Sequence, residues 1–192
     1  MDTVLIAGAT GYLGRHLCAA FTQRGAYVIA LVRDARRAQD LAADSLVEAE
    51  ATQAHTLVDI MDGVDLVVSA LGITRQTDRL GYDDVDYGAN LNLLREAERA
   101  GVQRFAYIHV LNADVFKGVA LVDAKTAFVH ALQASSLAST VIAPSGFFSD
   151  MGEIFAMAKS GRVWVFGDGT PQINPIHGAD LAAAAADAID AE

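Results

Sequence analysis

Three evenly spaced glycines constrain this chain more than any other feature. Gly8, Gly11 and Gly14 follow the apolar run Thr3–Ala7 and open an amphipathic stretch that closes near Gly25. Glycine lets the backbone turn sharply from strand to helix, approach a bound group closely, and pack the new helix tightly on its sheet. The first N–H groups of such a helix have no partner within it and lie at the positive end of its dipole, which suits a phosphate. The spacing is Gly-x-x-Gly-x-x-Gly rather than the commoner Gly-x-Gly-x-x-Gly, with the same physical consequences. Gly8, Thr10, Gly11, Tyr12, Leu13 and Gly14 are therefore expected to hold a dinucleotide pyrophosphate, with Thr10 adding a hydroxyl.

The rest of the chain alternates in the way such a loop requires. Apolar strand-like runs occur at Thr3–Ala7, Tyr27–Val32, Leu66–Ala70, Phe105–Val110 and Thr140–Ala143. Between them lie helical stretches: about Gly11 to Gln23, about Tyr82 to Ala100 with Tyr87, Leu91, Leu94 and Ala97 as its apolar stripe, and Val119 to Ala134. Strands that are apolar throughout, separated by amphipathic helices, predict an α/β doubly wound parallel sheet covered on both faces, the Rossmann architecture. After Pro144 the pattern loosens, with Gly161, Gly167, Gly169, Pro171 and Pro175 as punctuation, before a last helix from Asp180 to Ala191. The reading is one domain over 1–192, with 145–192 as a substrate-side extension.

Composition narrows the partners. The 192 residues are 53% hydrophobic and 20% charged, a balance that supports a packed core. The net charge of −10 argues against nucleic acid, whose phosphates need a cationic face. No run reaches the roughly 18 apolar residues of a membrane span. Met1-Asp2-Thr3 lacks the basic start of a signal peptide, and Cys18 stands alone, so a cytoplasmic setting is expected. The histidines show no metal-ligand spacing, and no metal is expected. The expected partner is a small-molecule acceptor, with the protein a monomer or homodimer.

The end of the second strand bears on the choice of dinucleotide. An acidic residue there binds the ribose hydroxyls of NAD, whereas an arginine suits the 2′-phosphate of NADP. Here Val32 is followed by Arg33, with Arg36 and Arg37 a turn further on. Arg33 and Arg37 are read as phosphate ligands, since guanidinium binds phosphate through two parallel hydrogen bonds. NADP(H) is favoured over NAD(H); Asp34 keeps the alternative open.

These motifs together resemble the atypical short-chain dehydrogenase/reductases. The resemblance is carried by Val4 to Gly14, Leu31-Val32-Arg33, Gly63 to Gly72, Ala97 to Val102 with Arg104-Phe105, Pro144 to Phe148, and Asn174 to Leu181. It implies that Ala70, Leu71 and Gly72 lie along the cofactor and that Pro144, Gly146 and Phe147 pass near the nicotinamide. The family's best-known members use a Ser, a Tyr and a Lys four residues after that Tyr. Lys125 matches the lysine, but Leu121 stands in place of the tyrosine and His109 in place of the serine.

Lys125 and His109 are thus the catalytic candidates, His109 as a replacement acid or as a packed strand histidine. Tyr107 and Tyr87 are read as core. A pocket of Phe147, Phe148, Met151, Phe155 and Trp164 would suit an apolar acceptor. Two functions follow: an NADP(H)-dependent oxidoreductase passing hydride to a small apolar carbonyl or quinone-like acceptor, or a non-catalytic NAD(P)-binding regulatory or assembly protein.

Overall fold

A computed structural model describes residues 2–73, 79–164, 168, 170 and 172–191. Its centre is one six-stranded sheet in the order β3-β2-β1-β4-β5-β6, parallel throughout. The strands are β1 (Thr3–Ala7), β2 (Tyr27–Val32), β3 (Ser45–Glu48), β4 (Leu66–Ser69), β5 (Arg104–Ile108) and β6 (Ala138–Ile142). The order reverses between β1 and β4, and that switch point opens a crevice at the carboxyl ends of the strands. The doubly wound α/β fold is as the sequence predicts. The expected strand from 66 ends one residue earlier, and those from 105 and 140 begin and end one to two residues earlier. β3 is an addition to the expected strands: Ser45-Leu46-Val47-Glu48 is short and polar at both ends, so it makes no apolar run.

Alternate residues of each strand serve opposite faces, as a period of two demands. Val4 and Ile6 of β1 pack with Leu13, Leu17 and Phe21 of α1 (Tyr12–Gln23) and with Leu181, Ala185 and Ile189 of α5 (Gly178–Asp190). Leu5 and Ala7 face the other way, onto Leu93 and Ala97 of α2 (Asn90–Ala100) and Phe128 and Leu132 of α3 (Ala120–Gln133). Truncating a fully buried member such as Leu17 to alanine costs ~2–5 kcal/mol. Helix α2 ends at Gly101, whose φ of 75° is the left-handed cap that glycine adopts without strain.

Two features depart from expectation. A π-helical turn, Asp83–Ala89, precedes α2 and rotates the buried stripe, so Asp86, Ala89, Asn90, Leu93, Leu94 and Ala97 face inward while Tyr87 and Leu91 are half-buried. The segment 145–192 also divides. It contains a further helix, α4 (Phe148–Lys159), with no buried residue, whereas α5 packs into the core against α1. Gly167, Gly169 and Pro171 lie outside the described residues.

Candidate functional site

A cleft of about 1120 Å³ runs along the carboxyl ends of the strands. The β1–α1 loop forms its floor. Gly8 has a φ of 79°, and a Cβ there would stand 2.9 Å from the carbonyl carbon and oxygen of Ala70. A Cβ on Gly14 would collide with the backbone of Gly8 and Ala9. The two glycines therefore bring three backbone segments into contact at the start of α1. The N–H of Gly11 donates to Gly8 O at 2.9 Å, and α1 begins with no side-chain cap and no acidic residue in its first turn. The donors at this helix end stay open to an anion, so the loop fits a pyrophosphate. Gly8, Thr10, Gly11, Tyr12, Leu13 and Gly14 all line the cleft.

At one end of the cleft stand Arg33 and Arg37, with Arg15 from α1. Arg15 was not singled out from sequence; it donates through Nε to Thr10 O at 3.3 Å and pairs with Asp40 at 2.8 Å. Arg36 does not line the cleft. Asp34 does, but its Oδ1 accepts the N–H of Arg36 at 3.0 Å and so caps the short 3₁₀ turn Ala35–Arg37.

Along the wall, Ala70, Leu71 and Gly72 leave β4. Asn90 fixes their path. Its Oδ1 accepts from Ser69 Oγ at 2.5 Å, and its Nδ2 donates to Asp86 O at 3.0 Å and Val85 O at 3.2 Å. The π-turn thus finds partners for carbonyls that a regular helix would use differently, and such turns recur at functional sites.

At the other end, Lys125 of α3 reaches back under β5. Its side chain is 12% exposed, and Nζ donates to Ile108 O at 3.2 Å and Tyr107 Oη at 3.3 Å. Burial pulls the Lys125 pKa below the ordinary lysine value, and the carboxylate of Asp86 opposes that shift. Tyr107 is fully buried and burial pushes its phenol up; it does not line the cleft. His109 does. Its Nδ1 is buried with no partner among the described residues, and burial, then the Lys125 charge, hold its pKa below the usual 6.5. The imidazole is neutral at neutral pH, a hydrogen-bond donor rather than a ready cation. Leu121 lines the cleft with an apolar side chain where the dehydrogenase resemblance places a tyrosine.

Pro144, Gly146 and Phe147 close this end. Gly146 and Phe148 pair with Ile176 through Ile176 N to Gly146 O at 2.9 Å and Phe148 N to Ile176 O at 3.1 Å. Ser145 Oγ donates to Asn174 O at 2.5 Å, so the Asn174–Ile176 segment straps down the 144–147 turn. The expected apolar pocket is corrected here. Phe147 lines the cleft, but Phe148, Phe155 and Trp164 are 54%, 67% and 74% exposed and do not line it.

Glycine loop, switch point and arginine-lined end define a dinucleotide-binding protein of the Rossmann class. The chain belongs to the NAD(P)H-binding family, whose model matches residues 8–192. It is 30% identical over 172 residues to the photosystem II assembly factor Ycf39 of Synechocystis, covering 88% of this chain and 52% of that protein. It is 28% identical over 207 aligned positions to the chloroplastic divinyl chlorophyllide a 8-vinyl-reductase of Arabidopsis thaliana, covering 97% and 49%. The chain spans about half the length of these curated relatives. An NADPH-dependent quinone oxidoreductase from Escherichia coli, solved with NADPH, superposes with a TM-score of 0.78 at 24% identity, over 97% of this chain and 64% of that one.

No helix among the described residues is long and apolar enough to cross a membrane, and no cluster of His, Cys, Asp or Glu there could hold a metal ion.

Proposed function

We propose that the protein is an NADP(H)-dependent oxidoreductase that passes hydride to a small apolar carbonyl or quinone-like acceptor. The observation that carries this reading is the cleft itself, which joins the open helix end at Gly11–Gly14 to Arg33 and Arg37 on one side and to Lys125 and His109 on the other. Arg33 and Arg37 have no acidic partner among the described residues, while Asp34 is engaged as a cap, so the adenosine end favours a 2′-phosphate over bare ribose hydroxyls.

A bound NADPH supplies the hydride. The chain's own residues do the rest. Gly8 to Gly14 hold the pyrophosphate, and Ala70 to Gly72 and Pro144 to Phe147 flank the reactive end. Lys125 presents positive charge toward the ribose, and His109 donates a hydrogen bond to an oxygen that gains charge as hydride arrives. Leu121 supplies no proton, so an acceptor whose product anion is already stabilised, such as a quinone, suits the site best. The segment 145–177, with α4 at its centre, is the substrate side.

The test is NADPH oxidation followed against a panel of quinones and carbonyl compounds, with Lys125→Met and His109→Gln as controls. Turnover with a quinone that falls at least about tenfold in both variants supports the reading. The apolar Leu121 in the tyrosine's place favours a second reading, an NAD(P)-binding assembly or regulatory protein. That reading gains if NADPH binds and no acceptor is reduced.

A further inference from the structure

A fully buried polar group in the cleft wall is a carboxylate that no step above uses. Asp86 lies on the π-turn and is fully buried. Its Oδ2 accepts the N–H of Ile73 at 3.2 Å, at the end of the segment that leaves β4. Its Oδ1 accepts no hydrogen bond among the described residues and faces Lys125 Nζ at 3.4 Å. Gly72 makes this meeting possible, since a Cβ there would stand 2.5 Å from Oδ1 and 3.3 Å from Nζ.

We propose that Asp86 is a positioning residue for Lys125, holding its ammonium charged and fixed against the β4 segment along which the dinucleotide lies. The proposal rests on the reading of Lys125 as a cofactor contact. Lysine is a compact charge on a flexible stem and needs outside help to stay in one place when buried. An ammonium has three N–H donors. Here three oxygens surround it: Tyr107 Oη and Ile108 O accept its hydrogen bonds, and Asp86 Oδ1 faces it as an ion pair. Two of these are neutral, so Asp86 is the group that offsets the charge. Burial pushes the Asp86 carboxyl up and the Lys125 ammonium down, and each group opposes the shift of the other. Tyr107 of β5 and His109, the residue after β5, also face Lys125, and neither carries an opposing charge at neutral pH. Through Ile73 the same carboxylate ties the lysine to the β4 segment, so one side chain sets the distance between two walls of the cleft.

The experiment is an NMR titration of lysine side chains in the full chain without cofactor. The sequence has three lysines, of which Lys117 and Lys159 are exposed. The Lys125 signal is the one lost in Lys125→Met. In Asp86→Asn the Lys125 pKa should fall by about one unit or more, as removal of a close opposite charge requires, while Lys117 and Lys159 stay put. An unchanged Lys125 titration in folded Asp86→Asn overturns the proposal.

Should that variant not fold, the wild type decides. Lys125 should show a second, acid-side inflection as Asp86 takes up its proton, and a single inflection overturns the pairing. The cofactor role is read separately. If Lys125→Met binds NADPH as tightly as wild type, the assignment of Lys125 as a cofactor contact is lost, whereas the Asp86–Lys125 titration is unaffected.

Discussion

The hydroxyl of Tyr12, in the first turn after the glycine loop, accepts the backbone N–H of Gly178 at 3.0 Å and so joins the N-terminal end of α1 to the first residue of α5. The Tyr12 ring also meets His16, Phe147 and His177 edge-on, at centroid distances of 5.2, 5.4 and 6.4 Å. A Cβ on Gly178 would strike the rings of His16 and Tyr12. Helix α5 is therefore seated on a residue of the first turn after the glycine loop, and loop geometry and α5 docking should change together.

Tyr12→Phe leaves the Gly178 N–H without its acceptor and should cost ~1–2 kcal/mol of stability, as an orphaned partly buried donor does. Gly178→Ala forces the rings apart and should cost ~1–3 kcal/mol. Urea unfolding of the two variants checks both values. Wild-type stability in Gly178→Ala would mean that the rings have room the structure does not give them.

Gly14→Ala attacks the floor of the cleft directly, because its methyl group would overlap the backbone of Gly8 and Ala9. The loop must move, and the open N–H groups move with it. NADPH affinity should fall about tenfold or more, equivalent to ~1.4 kcal/mol. Fluorescence titration of the folded variant reads this. Gly25→Ala makes a useful contrast: it is strained by its φ of 80° but clashes with nothing, and should lower stability while leaving NADPH binding intact.

His109 gives the fold a pH dependence of definite sign. Burial first, then the charges on Lys125 and His130, keep its folded pKa below the unfolded one. Below about pH 6.5 the unfolded chain takes a proton that the folded chain resists, so stability is full above that value and is lost as pH falls toward the folded pKa. His109→Gln should flatten the decline between about pH 6.5 and 5. Denaturant unfolding at the two pH values measures it, and an equally steep decline in the variant would assign the effect elsewhere.

The chain's apolar runs and its glycine spacing made the doubly wound sheet and the sharp glycine turn from β1 into α1 legible in the sequence. Both signals are local: a strand buried on two faces must be apolar throughout, and a strand-to-helix turn at a phosphate needs glycine. Residues whose role depends on a distant partner were harder to find. Leu94 and Ala97 of the expected stripe are buried, but Asp86, Asn90 and Leu93 share that face, while Tyr87 and Leu91 are only half-buried. A carboxylate and an amide four residues apart, in phase with an apolar stripe, were the available signal. Arg15 carries no such signal, because an arginine on a surface helix turn looks ordinary until the fold brings it into the cleft that Arg33 also lines. The exposed aromatics of α4 misled in the opposite direction, since apolar residues near a site need not line it.

The central claim is an NADP(H) site built on the glycine loop and the arginines beyond β2. Calorimetric titration with NADPH, NADP and NADH, repeated on Arg33→Ala, tests it most directly. The account predicts that NADPH and NADP bind more tightly than NADH, and that Arg33→Ala loses about tenfold or more of the NADPH affinity, as removal of a charged phosphate hydrogen bond implies, while NADH is little changed. Equal binding of NADH and NADPH by the wild type, with no effect of the substitution, would contradict it.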